Sequence, residues 1–413
     1  MRLWLLTLLA AGLAAAADEQ QLALELRAQT DFERVQLAAK PDLADTARCI
    51  QSEAAVLAIA PAPEQPLHRY RKGYCAMAGG DFAGAAAEFD KAIAAWPASI
   101  KRDIPEPVSP ALLALDAIAH LEANGDAAAD DAEKTLVTAL ARPSCISELM
   151  PAAACEADLE TAREWLGWID FRRNNLAAAA REFGAASNPA WRHWIDSRQA
   201  FENRSYRQAA EDGKAAVAEW DRQRGLAAPT FNDRIRPQPD LGESLTELGG
   251  VELLAGDTTA AIGTLDQAVK VAPRIARAYY LRARAKEAAG QTEAALADYN
   301  LASRTAFADA QDLNSGEAHL YRGILYYRRK DYARAEDEFA SALNFNVPPS
   351  LRADASAWRY LAAVAGGSCE ASRASLARAM ANVSPYFPRQ EASAALSACL
   401  STITDNNRSQ TAR

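Results

Sequence analysis

Apolar residues return at helical spacing from the start of the chain. Leu22 pairs with Leu26, and Ala47, Ile50, Ala54 and Leu57 follow at intervals of three and four, which predicts a helix pair within 19–60. Beyond it a longer period emerges. The stretch 70–97 places Gly73, Asp81, Phe82, Ala85, Phe89, Ala92 and Pro97 at intervals that return as Leu248, Gly249, Gly256, Asp257, Ala261, Leu265, Ala268 and Pro273. They return again as Tyr279, Ala283, Gly290, Ala295, Tyr299 and Ala302, and once more as Gly323, Tyr326, Asp331, Tyr332, Ala335, Phe339 and Ala342. Small residues fall where two helices must approach closely, and bulky ones fall where the groove between them needs filling. Gly-Asp and Lys-Asp pairs punctuate the turns, the first residue suited to a left-handed backbone and the second to capping the next helix.

This spacing resembles the tetratricopeptide repeat, a 34-residue pair of antiparallel helices. Clear units read at 66–99, 160–190, 242–275, 276–309 and 316–349. Weaker ones read at 111–142, 190–223 and 355–384, where Lys134 and Arg378 stand near the central aromatic place of the first and last. The units at 242–275 and 276–309 abut without a gap, so the register is kept. The resemblance covers about three quarters of the chain and implies an all-α, right-handed solenoid of stacked helix pairs. Composition agrees: 97 of 413 residues are alanine, the strongest helix former and a poor strand former.

Prolines and loop residues break the phase at 100–110, at 143–158 and at 224–241. The last of these divides the chain into an N-terminal array of 18–223 and a C-terminal array of 242–402, joined by a linker at 224–241, with a polar, frayed tail at 403–413. The linker reads as a solvated connector between the two arrays, with a binding loop as the alternative.

Residues 1–17 combine Arg2, an apolar run and the small residues Ala14 to Ala17, the order of a secretory signal, with cleavage expected before Asp18. That apolar run, about 15 residues, is short of the ~20 that span a bilayer. Six cysteines fit an oxidising compartment and fall into three local couples: Cys49 with Cys75, Cys145 with Cys155, and Cys369 with Cys399. Six thiols allow 15 pairings, so the couples are an expectation. The placement is therefore periplasmic or secreted.

In the resembling family the first helices of the units line a concave face. The corresponding places here hold Tyr70, Tyr74, Trp168, Phe171, Arg172, Trp191, Trp194, Arg198, Phe201, Arg277, Tyr280, Arg284, Tyr327 and Arg328. Aromatic rings and arginines are the types that concentrate binding energy, so a protein or peptide segment is the implied guest. The net charge of −9 offers no broad basic surface for nucleic acid. Cofactors and metals are not expected, because no cysteines are spaced as CxxC and the four histidines are scattered. The chain contains no GxSxG, HExxH, GxxxxGK[ST] or GxGxxG, and its acidic runs read as solvated helix faces, which points away from an enzyme. The leading reading is thus an exported, non-enzymatic scaffold, for instance in envelope assembly or secretion. A glycan-binding accessory of polysaccharide export is the alternative, and a helical-array enzyme with an acid pair in the groove is a third.

Overall fold

A computed structural model describes residues 2–38, 42–62, 64–96, 108–141, 152–186, 188–225, 231–306, 314–345, 347–384 and 387–411. Among them there is no strand. The helices are α1 (Arg2–Leu37), α2 (Leu43–Leu57), α3 (Gln65–Ala78), α4 (Phe82–Ala95), α5 (Pro110–Asn124), α6 (Ala129–Leu140), α7 (Ala152–Arg172), α8 (Leu176–Ala185), α9 (Pro189–Glu202) and α10 (Tyr206–Arg224). They continue as α11 (Phe231–Ile235), α12 (Leu241–Leu254), α13 (Thr258–Val271), α14 (Ala276–Ala288), α15 (Thr292–Ala306), α16 (Asn314–Arg328), α17 (Tyr332–Leu343), α18 (Pro349–Ala365), α19 (Cys369–Ala379) and α20 (Arg389–Thr411). Each repeat unit read from the sequence falls on one helix pair, although α7 and α18 begin ahead of the units read at 160–190 and 355–384, and the described residues form an all-α solenoid of stacked helix pairs.

Two compact units divide the chain. Unit 1 comprises Met1–Gln199 with Ala218–Gln238, and unit 2 comprises Ala200–Val217 with Pro239–Arg413. In unit 1, helices α1 to α8 pack each on the next up to α7 and α8, and α5 also touches α7. In unit 2 the same succession runs from α12 to α20, and the first helices α12, α14, α16 and α18 also meet one another in turn. They form one layer, with the second helices forming the other.

Within the pairs the predicted close approaches are present. A Cβ built on Gly73 would lie 2.6 Å from the Phe89 ring, one on Gly167 3.1 Å from Phe183, and one on Gly323 2.6 Å from Phe339. Leu265 fills the same place over Gly249, and Tyr299 shares a buried cluster with Ala283. In each case the bulky residue follows the small one by sixteen positions, so one geometry serves both units. The weaker repeats solve the problem differently. Where Lys134 and Arg378 leave the central place polar, Leu136 and Leu376 supply the fully buried side chain instead.

A recurring ion pair accompanies this packing and was not legible as a motif. Lys72 bonds Glu88 at 3.1 Å, Arg282 holds Asp298 through two bonds of 2.7 and 2.6 Å, and Arg322 reaches Glu338 at 2.6 Å. Each pair sits one residue before the small and bulky partners. The turns follow suit: Gly80, Gly256 and Lys330 have φ of 85°, 86° and 63°, and the aspartates after them, Asp81, Asp257 and Asp331, cap α4, α13 and α17.

Disulfides join Cys49 to Cys75, tying α2 to α3, and Cys369 to Cys399, tying α19 to α20. The couple Cys145–Cys155 and the proline stretch 100–110 fall largely outside the described residues. Of the break expected at 143–158, residues 143–151 also lie outside the described residues, and helix α7 begins at Ala152 with Cys155 buried on it. The tail expected to fray from 403 instead continues α20 to Thr411. The largest departure is the linker. Residues 231–235 form α11, and 231–238 belong to unit 1, because Phe231 and Ile235, one helical turn apart, both have apolar surface to bury.

Candidate functional site

Three successive first helices of unit 2 enclose a cavity of about 610 Å³. Helix α14 contributes Arg284, Glu287 and Ala288. Helix α16 contributes Leu320, Tyr321, Ile324 and Arg328, and α18 contributes Leu351, Asp354 and Trp358, with Ser384 closing one side. Leu320, Ile324 and Trp358 are also anchored in the core beneath, where Trp358 packs edge-on against Tyr327 and Phe387, so the apolar wall is rigid.

Most polar groups of the wall are already engaged. Glu287 accepts from the Tyr299 hydroxyl and from Arg328, both at 2.9 Å. Asp354 accepts from the Ser384 backbone N–H at 2.7 Å and its hydroxyl at 2.6 Å. Arg284 differs. Its guanidinium lies 4.0 Å from the Tyr321 ring centroid and donates to the Tyr280 hydroxyl at 3.1 Å, but among the described residues it has no carboxylate partner. Burial opposes its charge, and the phenols of Tyr280, Tyr321 and Tyr299 more than offset that, holding its pKa above the ordinary arginine value. Burial, reinforced by Glu317, raises the Tyr280 phenol well above its usual range. The cavity therefore presents a fixed positive charge, with most of its donors unspent, beside an apolar wall.

The residues expected on the concave face divide in two. Arg284 and Arg328 line the cavity, while Arg277 is exposed elsewhere on α14. Tyr280 is buried against Tyr299 and Tyr321, and Tyr327 is covered by α20, where its hydroxyl donates to Glu391 at 2.9 Å. These two serve packing, because a neighbouring helix covers the face they were expected to open. The cavity residues outside that expectation include Tyr321 and Ile324 on α16, and Leu351, Asp354 and Trp358 on α18, whose unit was read as weak.

In unit 1 the correction is larger. Tyr70, Tyr74, Trp191 and Trp194 are all buried. Trp191 stacks on Phe183 and, with Trp194, holds Trp220 between them, while Phe171 meets Trp191 edge-on. Trp168 is half-buried against Trp165 beneath the Arg172 guanidinium, which also pairs with Asp126, and Arg198 lies over Phe171. Phe201 of unit 2 stays largely exposed beside Tyr206.

What covers unit 1's face is the chain's own 231–238. Phe231 stacks on Tyr74 with ring centroids 3.9 Å apart. Asn232 donates to Asp158 at 2.9 Å and to Thr161 at 3.1 Å, and Arg236 approaches Glu164 at 3.4 Å. The Trp165 indole donates to the Ile235 carbonyl at 2.7 Å, and the Trp191 indole to that of Pro237 at 3.0 Å. Burial pushes Asp158 up to about 7 against its bond from Asn232, and pushes Glu164 up to about 7 against the pull of Arg236. The histidines stay apart, but one of them, His120, meets two aspartates. On α4 and α5, Asp90, Asp116 and His120 bring one ligand atom each within 4.8 Å, and burial pushes Asp116 up to about 7.

No family model matches the chain, and no curated protein sequence does. Solved structures do. The chain is similar to a signal transduction ATPase with a tetratricopeptide-repeat sensor from Pyrococcus horikoshii, at 12% identity and a TM-score of 0.50 over 86% of this chain and 54% of that one. It is also similar to the C-terminal part of a repeat protein from Cytophaga hutchinsonii, at 17% identity and a TM-score of 0.40 over 67% of this chain and 95% of that one. A tetratricopeptide repeat protein from Parabacteroides merdae aligns at 15% identity and a TM-score of 0.38, over 71% of this chain and 99% of that one. Taken with the sixteen-residue pairing of small and bulky side chains and the capped left-handed turns, the first of these likenesses makes the chain a tetratricopeptide-repeat protein by fold.

Proposed function

We propose that the chain is an exported, non-enzymatic scaffold that holds an extended protein segment in the cavity formed by α14, α16 and α18. The observation that carries this is Arg284, a half-buried cation with no carboxylate partner among the described residues, set beside Leu320, Ile324 and Trp358. A guest offering a carboxylate next to a large apolar side chain satisfies both features, since the planar guanidinium can accept it in two-point contact. Export is supported by the signal-like residues 1–17 and by the disulfides Cys49–Cys75 and Cys369–Cys399, which suit an oxidising compartment. Among the described residues no helix is long and apolar enough to cross a membrane.

The glycan alternative loses support, because Trp191 and Trp194, whose ring faces a sugar would stack on, are buried. Selection of a displayed random-peptide library on the wild-type protein, with an Arg284→Glu variant in parallel, tests the scaffold reading. Acidic-apolar peptides should be enriched on the wild type and lost on the variant; equal enrichment on both removes Arg284 from the site. N-terminal sequencing of the protein recovered from its host should begin at Asp18 if residues 1–17 are cleaved.

A further inference from the structure

The contacts of 231–238 differ in kind from the packing between helix pairs. A five-residue helix cannot support itself in water, so its conformation is imposed by the surface it lies on. That surface is built from α3, α7 and α9, each the first helix of a pair. It holds the segment in the way a receptor holds a peptide: two indole N–H groups take the alternate backbone carbonyls of Ile235 and Pro237, while side chains settle into separate places. Tyr74 takes the aromatic Phe231, Asp158 and Thr161 take Asn232, and Glu164 faces Arg236.

The fit is incomplete. Arg234 lies over Phe231, and its Nε and one terminal nitrogen are buried without a hydrogen-bond partner among the described residues. A buried donor left unpaired opposes the docked state, so the resident segment is not the best sequence for its own seat. Its tether substitutes for affinity, because a linked segment meets its site at an effective concentration on the order of millimolar.

We propose that this face of unit 1 is a peptide-binding groove occupied in cis by Phe231–Gln238, and that a partner segment of the same pattern displaces it. That pattern is an aromatic residue, an aliphatic one four positions on, then a basic residue followed by proline.

The test uses the full chain and a fluorescein-labelled synthetic peptide carrying residues 229–240. A Phe231→Ala, Ile235→Ala, Arg236→Ala variant weakens the resident while leaving the groove intact. It should bind the peptide at least about tenfold more tightly than the wild type does, as anisotropy will read, because the wild-type groove is already filled. Adding Trp165→Phe to the variant should abolish that gain. Absence of binding by a variant with a native circular dichroism spectrum overturns the proposal. Should the variant fail to fold, hydrogen exchange on the wild type decides. Excess peptide must accelerate exchange at residues 231–238 and leave the helices of unit 1 unchanged, and an unaltered rate at 231–238 overturns the proposal equally.

Discussion

Gly323 and Gly263 provide a matched pair for testing how the repeats are held together. Both are helix-interior glycines of unit 2, on α16 and α13. Replacing either by alanine gains about 1 kcal/mol of helix propensity. At Gly263 nothing lies within 4 Å of the added Cβ, so the gain should appear nearly whole. At Gly323 the new atom would stand 2.6, 2.8 and 3.0 Å from three carbons of the Phe339 ring. That ring is fully buried and stacked against Trp358, so it has no space into which to withdraw. Overpacking of this kind costs about 1–3 kcal/mol, which leaves Gly323→Ala neutral to about 2 kcal/mol destabilised. The two variants should therefore diverge by about 1–3 kcal/mol, or several degrees in melting temperature for a unit of this size. Urea titration followed by circular dichroism measures the difference. In the Gly323→Ala background, Phe339→Leu should restore part of the loss, a coupling that a double-mutant cycle reports. If Gly323→Ala stabilises as much as Gly263→Ala, close helix approach is not what places glycine there.

Three further outcomes follow from features described above. Arg282→Met should destabilise by about 3–5 kcal/mol, because it strands the buried Asp298 carboxylate, with only Lys286 left beside it; a loss no larger than that of an exposed arginine would show the pair to be dispensable. Asp158 and Glu164 keep their protons to about pH 7 when folded and release them near pH 4 when unfolded, so the folded state holds the extra protons in between. Stability should thus fall as pH rises from about 4 to about 7, by up to about 1.4 kcal/mol per unit for each carboxylate, and Asp158→Asn should flatten the profile in chemical denaturation. The double variant Cys369→Ser, Cys399→Ser should lose about 2–4 kcal/mol, visible as an earlier urea midpoint that reductant no longer shifts at this site.

How far the sequence could be read depended on how local each determinant is. The pairing of Gly73 with Phe89 or Gly323 with Phe339 lies inside one hairpin, so spacing alone located it. The aspartate caps are more local still. Burial of Trp191 or Tyr74 depends on what crosses above the hairpin, and that cover comes from residues far along the chain. Helical periodicity says which side of α3 or α9 a ring occupies, not whether that side meets solvent. The covering segment carried a short signal, Phe231 and Ile235 one turn apart, masked by three prolines nearby. Arg284 was legible as a groove residue by its place in the unit. Its lack of a carboxylate partner was not, since that depends on Asp354 and Glu287 being engaged elsewhere.

A linear stack of hairpins unravels from its outermost members, which have a neighbour on one side only. Here the early hairpin helix α2 and the late helix α19 are each bolted covalently to the element beside them. Oxidation thus removes α2 of unit 1 and α19 of unit 2 from the joints that open first. In a reducing milieu, α2 and α19 would be expected to part from α3 and α20 more readily, exposing fresh helix faces to proteases there.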